Sequence, residues 1–244
     1  MSDGGAAKRG GLFGPFWLAG LGAALVAVAI AGFAPQALTY ADQGVIRPVE
    51  LHVHAALMGL LLVGFIAQAA LAGRGDVALH RRLGWFVAAI GAAAYVSMLV
   101  VIASSMRRED PSVLPWLPSV WTLGLVQSTT FLALFAAALA TRRAPAWHRR
   151  LMTVAMVIIL QGALDRMAWL PSLPLPDFWG SGARLFALAA PLVAFDVVTL
   201  RRLHPATLVG LASIALFVAL VSVGQASAAW REVLLGVARA LSAV

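Results

Sequence analysis

Hydrophobic residues do not alternate or recur at a helical stripe along most of this chain. They run on. Seven apolar stretches, at 15–34, 50–71, 83–104, 116–140, 151–169, 184–200 and 206–230, are separated by short polar breaks. Each is roughly 20 residues long, the length that carries an α-helix across a bilayer core of about 30 Å. Only a helix satisfies its backbone within one such segment, so the pattern predicts an all-α polytopic bundle of seven transmembrane helices. The sixth stretch is short and contains Pro191 and Asp196, which predicts a kink and a carboxylate in need of a partner.

The polar breaks carry a repeat. Leu71-Ala72-Gly73-Arg74 followed by Ala78-Leu79-His80-Arg81-Arg82-Leu83 returns as Leu139-Ala140-Thr141-Arg142 followed by Ala146-Trp147-His148-Arg149-Arg150-Leu151. A weaker version ends the sixth stretch at Leu200-Arg201-Arg202-Leu203-His204-Pro205. Segments two–three and four–five therefore read as two copies of one helical hairpin, over 50–104 and 116–169. The expected organisation is an N-terminal tail at 1–14, a transmembrane domain at 15–230 with helices two to five as its core, and a C-terminal tail at 231–244.

Composition narrows the class. Of 244 residues, 61% are hydrophobic and only 11% charged, with mean hydropathy +0.90. A soluble domain carries about a quarter charged residues. The net charge of +8 is therefore a matter of membrane sidedness, and no nucleic-acid partner is expected. The chain has no cysteine, which removes disulfides, iron–sulfur clusters and thiol chemistry. Its only lysine is Lys8, which removes a membrane-embedded Schiff base and a phosphate-binding loop lysine. The first stretch is too long for a signal-peptide core and reads as a spanning helix.

One set of segment ends holds Lys8, Arg9, Arg74, Arg81, Arg82, Arg142, Arg143, Arg149, Arg150, Arg201 and Arg202. The opposite set has fewer arginines, and these are offset by acids including Glu50, Glu109, Asp110 and Asp165. By the positive-inside rule the first set is cytoplasmic, with the N-terminus inside and the C-terminus outside the membrane. The arginines would meet anionic lipid headgroups there. The longer, proline-containing loops and Trp116, Trp121, Trp169, Trp179 and Trp230 fall at the outer boundary, where indoles partition. Gly84, Ala88 and Ala92 recur every fourth residue, a spacing suited to close helix packing.

Two sets of polar side chains are candidates for chemistry. His80 and His148 open helices three and five on one side of the membrane, and as diagonal partners in a four-helix core they can supply both axial ligands of a haem. Arg81 and Arg149 would pair with its propionates. The competing reading makes the phrase a topological anchor, with histidine capping a neighbouring helix end. On the other side His52 and His54 open helix two, about 200° apart, so only one can face the bundle, as a single cofactor ligand or a hydrogen bond to a quinone oxygen, the alternative being interfacial histidines satisfied by water. The repeat offset from His52 lands on Val120, so no second outer histidine pair exists. Gln127, Ser128, Thr129 and Thr130 on helix four, and Gln161 and Asp165 on helix five, can line an outer polar cavity with His54, able to hydrogen-bond a quinone. Helix–helix hydrogen bonding and an Asp165–Arg166 pair are the structural alternative. For Asp196 the expected ion partner is Arg81, Arg149 or His204.

The phrases Leu51-His52-Val53-His54, Leu79-His80-Arg81-Arg82-Leu83-Gly84 and Trp147-His148-Arg149-Arg150-Leu151-Met152 resemble those of bacterial DUF2306-type integral membrane proteins, over about residues 50–169. In that group His, His-Arg-x-x-Gly and His-Arg-x-x-Met open successive helices. The group brings no established activity. The helix alternation with diagonal histidines is also similar to the cytochrome b561 architecture, whose paired helices bind two haems. That likeness implies a b-type haem or quinone-linked electron-transfer protein, here with the inner histidine pair alone. The alternative is a transporter, or an accessory subunit of a membrane complex, with no cofactor.

Overall fold

The structure, a computed structural model, describes residues 13–171, 173–175 and 178–243. The expected tail at 1–14, with Lys8 and Arg9, lies outside them except for its last two residues. Ten helices follow one another: α1 (Trp17–Asp42), α2 (Val49–Arg74), α3 (Val77–Arg108), α4 (Leu117–Ala140), α5 (Pro145–Ile158), α6 (Gln161–Arg166), α7 (Trp179–Gly182), α8 (Arg184–Leu200), α9 (Pro205–Ala226) and α10 (Ala228–Ser242). Among the described residues there is no strand.

The boundaries follow from local chemistry. Gly75, at φ +78°, closes α2 in the left-handed region open to glycine. Asp76 then opens α3, its Oδ1 accepting from Leu79 N at 3.0 Å. Pro145 and Pro205 start α5 and α9, where a missing N–H costs nothing. These short turns make α2–α3, α4–α5 and α8–α9 packed neighbours.

Six helical stretches are long and apolar enough to cross a membrane: α1, α2, α3, α4, the run Trp179–Leu200, and α9. The chain is thus a polytopic helical membrane protein. The stretch expected to be the fifth continuous crossing is instead broken. α5 has 14 residues, about 21 Å at 1.5 Å each, and ends before a two-residue turn at Ile159 and Leu160. Gln127 of α4 offers its Nε2 to the Ile158 carbonyl at 2.8 Å, so the interrupted backbone is not left unpaired.

The broken helix is also the centre of the molecule. Val154 through Ile158 have no exposed surface, and α5 packs on α4, α8 and α9. α2 packs on α1 and α3, and α1 closes the bundle against α6. The core is therefore built around α5, with α8 and α9 contributing beside the repeat helices. Glycines mark its tightest crossings. A Cβ on Gly32 of α1 would fall inside the van der Waals shell of the Ala163 carbonyl of α6, and one on Gly210 of α9 would meet Val154 at 2.6 Å. On α3 the close approach is at Gly91, under the Phe135 ring; a Cβ at Gly84 would have only Gln68 Oε1 nearby, at 3.8 Å. The residues expected as a C-terminal tail form α10, packed on α3, α4 and α9.

The close approach at Gly32 is testable against Gly20 of the same helix, whose Cβ would meet nothing within 4 Å. Gly32→Ala should destabilise the detergent-solubilised protein by about 1–3 kcal/mol through overpacking. Gly20→Ala should be neutral or stabilising by up to about 1 kcal/mol. Thermal unfolding of both variants checks the difference.

Candidate functional site

His80 lies in the first turn of α3 and His148 in the first turn of α5, at the matched positions of the repeat. Their rings meet, with centroids 6.3 Å apart and planes at 88°. Both are half-buried. Each holds Nδ1 on a backbone carbonyl of the preceding helix: His148 on Ala138 of α4 at 2.8 Å, His80 on Gln68 of α2 at 3.2 Å. An Nδ1–H donating to a carbonyl leaves the Nε2 lone pair free, which is how ligating histidines are oriented. Gln68 reaches His80 a second way. With its amide turned to satisfy both ends, its nitrogen comes within 2.7 Å of Nδ1 and its oxygen accepts from Gly84 N. In that state Nε2 carries the proton. A ligand role for His80 therefore requires Nδ1 to take the proton and donate to the Gln68 carbonyl instead.

The arginines of the two phrases diverge. Arg81 and Arg82 are exposed. Arg149 is half-buried and stacks over the Phe195 ring of α8 at 4.8 Å, its Nε buried without a hydrogen-bond partner. Arg150 is completely buried and is the ion partner of Asp196, itself completely buried. Nε donates to Oδ1 at 3.0 Å, a terminal nitrogen donates to the same oxygen, and the other terminal nitrogen donates to the Ala146 carbonyl at 2.8 Å. Oδ2 accepts from Thr207 Oγ1 and from the His204 backbone N–H at 2.9 Å. The expected partners Arg81 and Arg149 are not the ones used, and His204 contributes its backbone.

The His204 ring caps α9 instead, its Nδ1 accepting from Ala206 N at 3.0 Å. Burial, then the nearby Arg150 guanidinium, lowers its pKa below the usual histidine value, in keeping with a neutral acceptor. Trp147 packs edge-on against it at 5.7 Å, and Trp17 of α1 stacks on Phe195 at 4.6 Å. Phe195 also lies 5.5 Å from the Arg150 guanidinium, so it joins Trp17 of α1 to the ion pair.

The second expected set is divided by its hydrogen bonds. His54 donates from Nδ1 to Ser97 Oγ of α3 at 2.9 Å, because the Ser97 hydroxyl is committed to the Ala94 carbonyl. His52 is exposed. Gln127 braces the break at Ile158. Gln161, fully buried just after the break, donates to Asp165 at 2.7 Å, and its Oε1 is left without a partner. Among the described residues no hydrogen bond joins His52 or His54 to Gln127, Gln161 or Asp165. Ser128 and Thr130 bond their own helix at Leu125 and Val126. Arg166 turns to Gln36 of α1 at 2.7 Å and lies over Phe33, not against Asp165.

Two residues escape the sequence pattern. Arg150 looks identical to Arg82 in the repeat, yet one is buried and the other exposed. Gln68 is the other, a lone amide in an apolar run whose role depends on facing His80. Among the described residues no three histidine or carboxylate groups stand together as a metal site, so the paired imidazoles are the complete donor set at this end. No family model, curated protein or solved structure matches the chain.

The buried pair predicts a non-additive response. Arg150→Met and Asp196→Leu should each cost about 3–5 kcal/mol, because each leaves one uncompensated buried charge. The double variant should be more stable than either single one, and chemical unfolding in detergent measures the coupling.

Proposed function

We propose that this chain is a bacterial inner-membrane protein that binds one haem b between His80 and His148 and serves electron transfer. The observation that carries this reading is the meeting of two imidazoles from distant positions, each held at Nδ1 by the helix before it. A bis-imidazole donor set of that kind suits haem iron. Bound haem would supply a one-electron couple. The chain's own part is to fix the two rings and their tautomers through Gln68 and Ala138, and to offer Arg81 and Arg149 as cations for the propionates. A lipid-soluble quinone is the electron partner that an otherwise apolar surface best accommodates.

A second reading rests on the Ala138 contact. That carbonyl is among the last four of α4, which lack intrahelical donors, so His148 also serves as a helix cap. A transporter or accessory subunit with no cofactor would need nothing more of it. One spectrum separates the two. The haem reading expects a sharp Soret band in purified protein. It also expects His80→Ala and His148→Ala each to lose the low-spin signature, with the double variant no worse than either. A colourless protein with no extractable haem, or an unchanged spectrum in His80→Ala, favours the cap.

The same proposal includes seven crossings with the N-terminus inside. α5, the turn and α6 together span residues 145–166, about 33 Å along a helix axis and enough to cross as a pair. Reporter fusions at Gly73 and Ala144 should then read cytoplasmic, and those at Pro111 and Pro171 external. Ala144 and Pro171 on one side would leave six crossings.

A further inference from the structure

α10 has three faces. At about 100° per residue, Leu234, Ala238 and Leu241 share one side. Leu234 and Ala238 are buried against Ile102 and Met106 of α3 and Leu117 and Trp121 of α4. Arg231, Glu232 and Arg239 share a second side. It forms one wall of an open groove of about 740 Å³, whose other wall is the charged end of α3 and the loop after it, Arg107 to Ser112. Asp110 in that loop has a carboxyl held below its usual pKa by the Ser112 backbone N–H. The third side, turned away from the groove, is apolar and uncovered: Val233 is 53% exposed, Val237 44%, and a Cβ at Gly236 would meet nothing within 4 Å.

The depth of α10 is set independently. α3 has 32 residues, about 48 Å, and exceeds the hydrocarbon core. α10 crosses its last turns. Ser227 caps the start of α10, where the Trp230 indole donates to Thr122 Oγ1 at 2.9 Å. At the far end the Ser242 hydroxyl lies 3.5 Å from the Met106 carbonyl. Trp121 donates to Ser105 at 2.9 Å on the same level. The half-buried Trp230 indole, tied beside the end of a spanning helix, marks the headgroup boundary.

We propose that α10 is an interfacial helix whose partner is the lipid bilayer. Its Val233–Val237 stripe rests on acyl chains while its charged face and the groove open to water. The charged side chains along the groove, Arg107 to Asp110 facing Arg231, Glu232 and Arg239, mark the aqueous side, and the spans that α10 packs against expose apolar side chains of their own, Val100 of α3, Val120 of α4 and Val223 of α9. This rests on the apolar helices crossing a membrane and is independent of haem.

The absence of cysteine makes the test direct. Single variants Val233→Cys, Val237→Cys, Glu232→Cys and Arg239→Cys, all at exposed positions, are spin-labelled and placed in phosphatidylcholine–phosphatidylglycerol nanodiscs. Collisions with oxygen, which concentrates in lipid, and with a water-soluble nickel chelate are compared. The ratio of oxygen to nickel accessibility should be several-fold higher at 233 and 237 than at 232 and 239. Equal ratios on the two faces would place α10 in water and overturn the proposal. Protection of 233 and 237 from both reagents would mean that a second copy covers the stripe, and would overturn it equally.

Discussion

The fold depends on one buried charge pair. A guanidinium with no exposed surface is tolerable only where each of its nitrogens is hydrogen-bonded and the charge is met. Arg150 reaches that state only with α8 supplying Asp196, and Asp196 only with Thr207 and the His204 amide at the start of α9. Three helices are thereby held in register by one cluster in a core that is otherwise aliphatic and non-directional. Dispersion and apolar contact pack α5 tightly, but they do not specify its rotation or its depth. The ion pair specifies both.

The site expected to carry chemistry is built on that framework. α5 presents His148 two residues before Arg150, so fixing the arginine inward fixes where the histidine emerges. Helix periodicity places residues two apart on different sides, about 200° from one another. With Arg150 turned toward α8, His148 is turned toward α4 and the start of α3, where His80 waits. The break after Ile158 belongs to the same logic. It ends α5 where Gln127 can pair the loose carbonyl and lets α6 run close under Gly32.

Much of the architecture was legible because membrane helices are written in long apolar runs and their ends in arginine, proline, glycine and tryptophan. The meeting of His80 and His148 was legible too, because a repeated hairpin puts equal positions at equal depth. What escaped was everything that depends on rotation about a helix axis. Arg150 and Arg82 occupy the same place in the same phrase, and only the neighbours of α5 decide which is buried. Asp196 announced its need for a cation but not which cation. Gln161 and Gln127 read as cavity-lining groups, whereas both stand at a helix interruption that hydropathy, an average over many residues, smooths away. The stretch 231–244 reads as a tail because it is short and mixed in composition, while its meaning lies in a three-sided distribution.

The order of synthesis gives the ion pair a further significance. Arg150 is made 46 residues before Asp196, so during insertion its guanidinium has no counterion. A lone arginine disfavours partitioning of a helix by about 2.5–3.5 kcal/mol at the bilayer centre. Sitting only a turn from the start of α5, it can keep its charge among the headgroups by extending its stem until α8 arrives. The hairpin of α4 and α5 would then dwell at a shallow depth and sink to its final position only when α8 and α9 enter beside it. Assembly of this bundle is in that sense paced by its sixth apolar stretch, and a chain stopped before Asp196 would hold its central helix at the wrong level.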